Sequence, residues 1–215
     1  SSEVDLPGLD LYISTPKEQI NDAKTLLSRQ GWSNVFLAGV PNRGRDIAPF
    51  LLQLLPAALK AGHTFFVKAH TKRSPQLHRG SQWGEHLINS LINPRFLCNL
   101  EEKLSNSSVG LLAPMGSILP SSVELRQNSQ QISLLLKRLS MNGQWSLQQN
   151  FIGGSMMAGK LQALAQLQSL ASTLDKFEIE NGQTDGTLAH AIERMISWLV
   201  TRQGLTTKEV SNTVQ

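Results

Sequence analysis

Two arginines flank a glycine in Asn42–Arg43–Gly44–Arg45–Asp46. Guanidinium groups donate paired hydrogen bonds that match phosphate oxygens. Gly44 lets backbone approach a ligand, and the apolar helix after Asp46 offers N–H donors at its start. A second cluster, Lys68–Ala69–His70–Thr71–Lys72–Arg73–Ser74, follows the most hydrophobic strand of the chain. Strand alternation turns Lys68 and His70 to one side, with Lys72 if the strand continues. That makes a cationic rim suited to a diphosphate. The third cluster, Gly153–Gly154–Ser155–Met156, sets a glycine pair beside a strand, a mark of a bulge or close backbone packing, while Met156 and Met157 read as core. The fourth gathers Asp185, Thr187, His190, Glu193 and Arg194 into the opening of one helix. Leu188, Ile192, Met195 and Leu199 share one stripe of that helix, and Thr187, His190 and Arg194 fall opposite. Asp185 sits where free backbone N–H groups hold a carboxylate, so it is either an N-cap alone or a working carboxylate. Each basic cluster has a bland alternative too: a solvated turn with Asp46 as N-cap, and a loop that keeps the protein soluble.

The elements that would carry these clusters follow from periodicity. Leu9–Thr15 alternates like a strand, Pro16 opens a helix with Ile20, Ala23 and Leu27 on one face, and Gly31 stops it. Val35–Ala38 is a second strand, Ile47 to about Leu59 a helix, and Thr64–His70 a third strand. This βαβαβ order predicts a parallel sheet covered by helices, with ligands at the carboxyl ends of its strands. Helices are expected over Trp83–Ile92, Pro94–Leu104 and Leu161–Leu174, and strands at Val109–Ala113 and Phe151–Ala158. The stretch 114–149 is rich in Ser and Gln, with a helix near Ile132–Leu139, and reads as a polar insertion. One domain spans 1–205, and 206–215 reads as a flexible tail.

Composition bounds the function. The chain has 215 residues, 40% hydrophobic and 17% charged, an ordinary balance for a globular core. A net charge of +4 favours an anionic ligand but is too mild to imply nucleic acid. Cys98 stands alone, which excludes an internal disulfide and any thiolate metal cluster. No apolar run approaches about 18 residues, so no transmembrane span is expected. The start lacks a signal peptide. These points favour a cytoplasmic location, at most peripheral at the inner membrane. Ser1 stands where an initiator Met would, which suggests a piece of a longer chain whose other domains are partners. The sequence has no Walker-type loop, dinucleotide-binding glycine fingerprint, nucleophile elbow, or paired His or Cys metal spacing.

In order, Asn-Arg-Gly-Arg-Asp, His-Thr-Lys-x-Ser, Gly-Gly-Ser-Met and Asp-Gly-Thr-x-Ala-His-Ala-Ile-Glu-Arg resemble the rhamnan synthesis protein F family of bacterial polysaccharide glycosyltransferases. The likeness runs from Leu9 to Trp198. It implies an α/β, GT-A-like single domain with a mostly parallel sheet flanked by helices. It also implies a nucleotide-diphospho sugar donor, dTDP-rhamnose on family grounds, and a rhamnan or lipopolysaccharide O-antigen acceptor.

On that resemblance, Asn42, Arg43, Gly44, Arg45, Asp46, Lys68, His70, Thr71, Lys72 and Ser74 hold the donor. Arg43, Arg45, Lys68 and Lys72 offset the charge that develops on the diphosphate. Asp185 deprotonates the acceptor hydroxyl, and His190 and Arg194 orient Asp185 or bind acceptor, with Glu193 and Asp46 the next candidates for the base. Gly153, Gly154, Ser155 and Met156 form an acceptor-side loop. Most GT-A enzymes carry Asp-x-Asp where this chain has His70–Thr71–Lys72. Either those cations replace the metal, or His70 and Asp185 help hold a magnesium or manganese ion bound mainly by the donor's phosphates. From another class, the alternative is a non-catalytic module that grips a nucleotide or glycan without turnover.

Overall fold

The structure, a computed structural model, describes residues 8–32, 34–71, 80–105, 107–121, 127–141, 145, 149–170 and 172–210. It opens with β1 (Leu11–Pro16), a 3-10 turn, α1 (Ile20–Arg29) and β2 (Val35–Val40), which pairs in parallel with β1. Ile20, Ala23 and Leu27 are the half-buried residues of α1, and none of its side chains is fully buried. Three contiguous pieces, Ile47–Pro49, Phe50–Leu54 and Leu55–Lys60, then form one helix, α2. Its middle is wound as a π-helix, with Leu55 N–H donating to the Phe50 carbonyl. Pro56 has no N–H to continue the ordinary ladder, and widening the turn before it accommodates the loss.

There follow β3 (Phe65–Lys68), α3 (Gly80–Leu91), α4 (Pro94–Cys98), α5 (Leu100–Ser105), β4 (Val109–Pro114) and β5 (Ile118–Pro120). The chain ends with α6 (Ser129–Arg138), β6 (Asn150–Ile152), β7 (Met157–Lys160), a 3-10 run (Leu161–Ser169), α7 (Leu188–Thr201) and β8 (Thr206–Val210). The main sheet has the order β3-β7-β4-β8. One core cluster on it joins α2, α6, the 3-10 run and α7, and a second joins α3, α4 and α5. β4 is buried at all six positions, as its unbroken apolar run requires.

The mixed α/β class agrees with the sequence reading, but the sheet is not mostly parallel. Of the five ladders among the described residues, β1/β2 and β4/β8 are parallel, and β3/β7, β4/β7 and β5/β6 are antiparallel. β3 and β4 do point the same way, as a strand–helix–strand order demands. β7 enters from the turn at 153–155 and is inserted between them in reverse. Residues 206–210 are also not a tail: β8 is an edge strand on β4, and Met115 N–H donates to the Val210 carbonyl. Its polar face is exposed, which hid it from apolar periodicity, and residues 211–215 lie outside the described residues. The stretch 114–149 is no loose insertion, because Ile132, Leu135 and Leu136 of α6 are buried in the main core. The helix expected over 161–174 is instead the 3-10 run and a separate short turn.

Gly44 holds a packing position. Its φ is +69°, and a Cβ there would meet Ala48 and lie 2.7 Å from the Phe177 ring. The close approach is to the protein's own core rather than to a ligand. Gly44→Ala is expected to lower stability by about 2–4 kcal/mol, combining left-handed strain with overpacking, as read by urea denaturation.

Candidate functional site

The turn between β2 and α2 divides its polar residues between scaffold and cleft. The Asn42 carbonyl accepts from Glu180 N–H at 3.2 Å, and Arg43 Nη1 donates to the carbonyls of Phe177 and Asp175 at 2.9 and 3.3 Å. Arg43 thus stitches the turn to the 175–179 loop. Arg45 turns the other way. Its backbone is left-handed, φ +55°, in a non-glycine residue, a conformation that tends to be kept where function needs it. Its Nη1 donates to the Gln183 carbonyl at 2.8 Å and to His190 Nε2 at 2.9 Å. Its Nε lies 3.9 Å from Glu180 Oε2, and the side chain stays 41% exposed.

Lys68 and His70 share a side, as strand alternation predicts, and both face Asp46. Lys68 Nζ lies 2.5 Å from Asp46 Oδ2, and His70 Nε2 lies 3.7 Å from the same oxygen. The Lys68 ammonium also donates to the Ser155 carbonyl and Oγ at 2.9 and 3.0 Å. All three of its protons are therefore committed, and the side chain is 6% exposed. Ser155 Oγ donates a short hydrogen bond to Asp46. Burial pushes the Asp46 carboxyl up, but Lys68 and His70 outweigh it and hold the group well below the ordinary carboxylate range. Two expectations change. Lys68 is the counter-ion of Asp46 rather than a loose cation for a diphosphate, and Asp46 makes no side-chain cap. His70 Nε2 donates to the Gly154 carbonyl at 2.8 Å. Thr71 is exposed, and Lys72 and Ser74 lie outside the described residues.

The turn 153–155 joins this cluster to α7. Gly154 and Ser155 have φ of +82° and +51°, and Gly154 N–H donates to Glu193 Oε1 at 2.7 Å. Burial raises the Glu193 carboxyl, the negative Asp46 raises it further, and Arg194 only partly opposes them, so its pKa stands at about 7. Gly153 packs on Leu119, and Met156 is fully buried against α3 residues, a core residue rather than a loop contact.

The start of α7 is rearranged relative to expectation. Thr187, not Asp185, is the N-cap, its Oγ1 accepting from His190 N–H. Asp185 Oδ1 accepts from Asn128 Nδ2 at 2.5 Å and pairs with Arg194 Nη2 at 3.0 Å. Arg194 is 4% exposed, donates to the His190 carbonyl at 2.9 Å and lies over the Phe151 ring. The polar side of the helix is therefore buried rather than solvated. Burial, then the Arg45 charge, lower His190 to a pKa of about 4. The neutral ring fits its partners: Nδ1–H donates to Thr187 Oγ1 at 2.7 Å, and Nε2 accepts from Arg45. If Asp185 were only a cap, Asp185→Asn would be harmless, since Asn caps as well. Its pairing with buried Arg194 instead predicts a loss of about 1–3 kcal/mol, read by chemical denaturation.

An open cleft of about 1380 Å³ runs over α2, between β1 and β3. Arg45, Asp46, Lys68, His190, Glu193 and Arg194 line one end of it. Asp185 stands behind them and does not line the cleft. Spacing held no sign of Asn128, which reaches Asp185 from the stretch that looked like an insertion. Nor did it mark Glu178, whose carboxylate accepts from Leu188 N–H at 3.0 Å. Among the described residues, no group of three His, Cys, Asp or Glu side chains is placed to hold a metal ion. No helix among them is long and apolar enough to cross a membrane.

Comparison with known proteins bears on what this cleft serves. The uncharacterized protein WxcX of Xanthomonas campestris pv. campestris strain B100 is 31% identical over 207 residues, and its counterpart in a second strain is 30% identical. The match covers 96% of this chain but 29% of each relative, so the chain spans under a third of the length of these curated relatives. No solved structure matches the chain. The profile of rhamnan synthesis protein F matches residues 5–205, which include every cleft residue named above. The chain belongs to the rhamnan synthesis protein F family.

Proposed function

We propose that this chain is a glycosyl-transfer domain with a GT-A-like α/β arrangement. It moves a sugar, rhamnose by the family's description, from a nucleotide-diphospho donor to a growing surface polysaccharide. The observation that carries the reading is Glu193. Its carboxylate lines the cleft that Arg45 also lines, is held by Gly154 N–H at 2.7 Å, and has a pKa of about 7. A general base works best when its pKa lies near the operating pH.

Glu193 takes over the role first given to Asp185, whose carboxylate is tied to Arg194 and Asn128 behind the cleft wall. Gly154 N–H holds Oε1 in place, and the carboxylate takes the proton of the acceptor hydroxyl. As that proton leaves, the acceptor oxygen bonds to the anomeric carbon. The bond from that carbon to the diphosphate oxygen breaks on the opposite face, and the electron pair departs with the diphosphate. Arg45 and the N-terminus of α2 take up the charge that develops there. One displacement inverts the anomeric centre. His190, neutral and hydrogen-bonded to Arg45, fixes the guanidinium without adding charge. A divalent cation, if one accompanies the donor, draws its ligands mainly from the phosphates.

The direct test is release of dTDP from dTDP-rhamnose by the purified chain, followed by chromatography. Turnover is expected, and binding of dTDP without any turnover would favour a non-catalytic module instead. Arg45→Ala removes a charge-assisted contact of about 1.5–3 kcal/mol. Calorimetry is expected to show dTDP affinity falling roughly ten- to hundredfold. Unchanged affinity would remove Arg45 from the donor site.

A further inference from the structure

We propose that the end of the cleft remote from Glu193 is a subsite for a neutral oligosaccharide, seated on Trp32 and Tyr12 and hydrogen-bonded by His63 and Asp10. The identity of that glycan as the acceptor rests on the transferase reading. All four residues line the same cleft as Glu193. Trp32 is 40% exposed and, among the described residues, belongs to neither core cluster, so part of its indole is open to the cleft it lines. Tyr12 stands edge-on to His63, ring centroids 5.3 Å apart. The Tyr12 hydroxyl and Asp10 Oδ2 lie 2.9 and 3.2 Å from His63 Nε2. This cluster holds the rings in place and leaves the Asp10 side chain 44% exposed.

Position and size set the kind of ligand. Asp10 and Tyr12 stand at the beginning of β1, and His63 comes just before β3. Lys68 and Asp46 are at the far end of β3, roughly 15 Å away at the usual rise of a strand. The volume of about 1380 Å³ exceeds the roughly 300–1,000 Å³ that encloses one small ligand. A donor held at Arg45 therefore leaves the other end open. The acid there is Asp10, whereas Arg45 lies at the donor end, so an anionic group is poorly served. Sugar rings, deoxysugars above all, have an apolar face that packs on an aromatic ring. Their hydroxyl rims meet groups that donate and accept, as imidazole, phenol and carboxylate do. The rival occupant is the nucleobase of the donor itself.

Calorimetry on the whole chain separates these occupants, using a rhamnose tetrasaccharide and dTDP as probes. Trp32→Ala is expected to weaken tetrasaccharide binding by at least about tenfold and to leave dTDP affinity unchanged. Asp10→Asn, which alters one acceptor and little shape, is expected to weaken the tetrasaccharide alone by a few-fold. Circular dichroism melts of both variants check that they fold. Loss of dTDP affinity in Trp32→Ala would make this the nucleobase seat and overturn the proposal. So would tetrasaccharide affinity that ignores both substitutions, or a parent chain that does not bind the tetrasaccharide. A parent that binds it through Trp32 yet never turns over dTDP-rhamnose would remove the transferase reading and leave the subsite standing.

Discussion

Glu193→Gln is expected to fold, to bind dTDP with the parent affinity, and to release dTDP from dTDP-rhamnose about 10²–10⁴-fold more slowly. The amide keeps nearly the same shape and keeps an oxygen for Gly154 N–H, so what is lost is the proton acceptor. The pH profile gives a second readout. With a pKa of about 7, the base is half ionised near neutrality. The parent rate should rise with pH through that range and level off above it. His190, at about 4, adds no limb between pH 5 and 8. The variant should lose the rising limb. Parent-level turnover in Glu193→Gln would remove Glu193 as the base.

The same substitution has a stability consequence of opposite sign. The Glu193 pKa rises from 4.5 in the unfolded chain to about 7 in the fold. Below 4.5 both states are protonated and the group contributes no difference. Between 4.5 and 7 the fold holds a proton that the unfolded chain has released, so stability falls as pH rises. Above about 7 the ionised carboxylate costs up to about 3 kcal/mol relative to acid. Glu193→Gln removes that penalty. The variant should be more stable than the parent at pH 8 and nearly equal to it at pH 4. Lower activity with higher stability is the pattern of a group kept for chemistry rather than for folding.

The parts of this site that spacing exposed are those governed by local rules. The N-terminal βα unit, the start of α2 after Asp46, and the common side of Lys68 and His70 all follow from short-range periodicity. The four motifs also converge, with Arg45, Lys68, Ser155 and Glu193 meeting at one cleft end. Pairing between distant residues is set by tertiary packing and leaves no spacing signal. Asp46 meets Lys68 across 22 positions and Ser155 across 109. Charge counting therefore made Lys68 a free cation, when half its role is to be neutralised. Strand direction was hidden for a related reason. Apolar runs mark β3, β4 and β7 as buried, but their relative direction depends on which strands pair, and β7 pairs antiparallel with both β3 and β4. Asn128 was illegible because an Asn in a Ser- and Gln-rich stretch looks the same whether it faces water or Asp185.

Asp46→Asn should be the most destabilising of the polar substitutions, by about 3–5 kcal/mol, because it leaves the buried Lys68 ammonium without its counter-ion. A double-mutant cycle distinguishes this from a plain loss of contacts. Lys68→Met removes the ammonium and fills its space with an apolar chain of similar length. Alone, it strands the Asp46 carboxylate and should also be costly. Combined with Asp46→Asn, it leaves no unpaired charge, and the double variant is expected to be more stable than either single one. Acid has a related effect on the parent. The folded Asp46 pKa lies below its unfolded value, so the pair contributes its full stability above about pH 4, and that contribution is lost as pH falls below it. Asp46→Asn should flatten that acid limb of the stability curve. Simple addition of the two single effects in the double variant would mean that Asp46 and Lys68 act independently. The coupling also reaches function. Lys68 holds the Ser155 carbonyl, Ser155 follows Gly154, and Gly154 N–H positions Glu193. The double variant should therefore regain stability without regaining the parent turnover, since the apolar replacement cannot anchor the turn that holds the base.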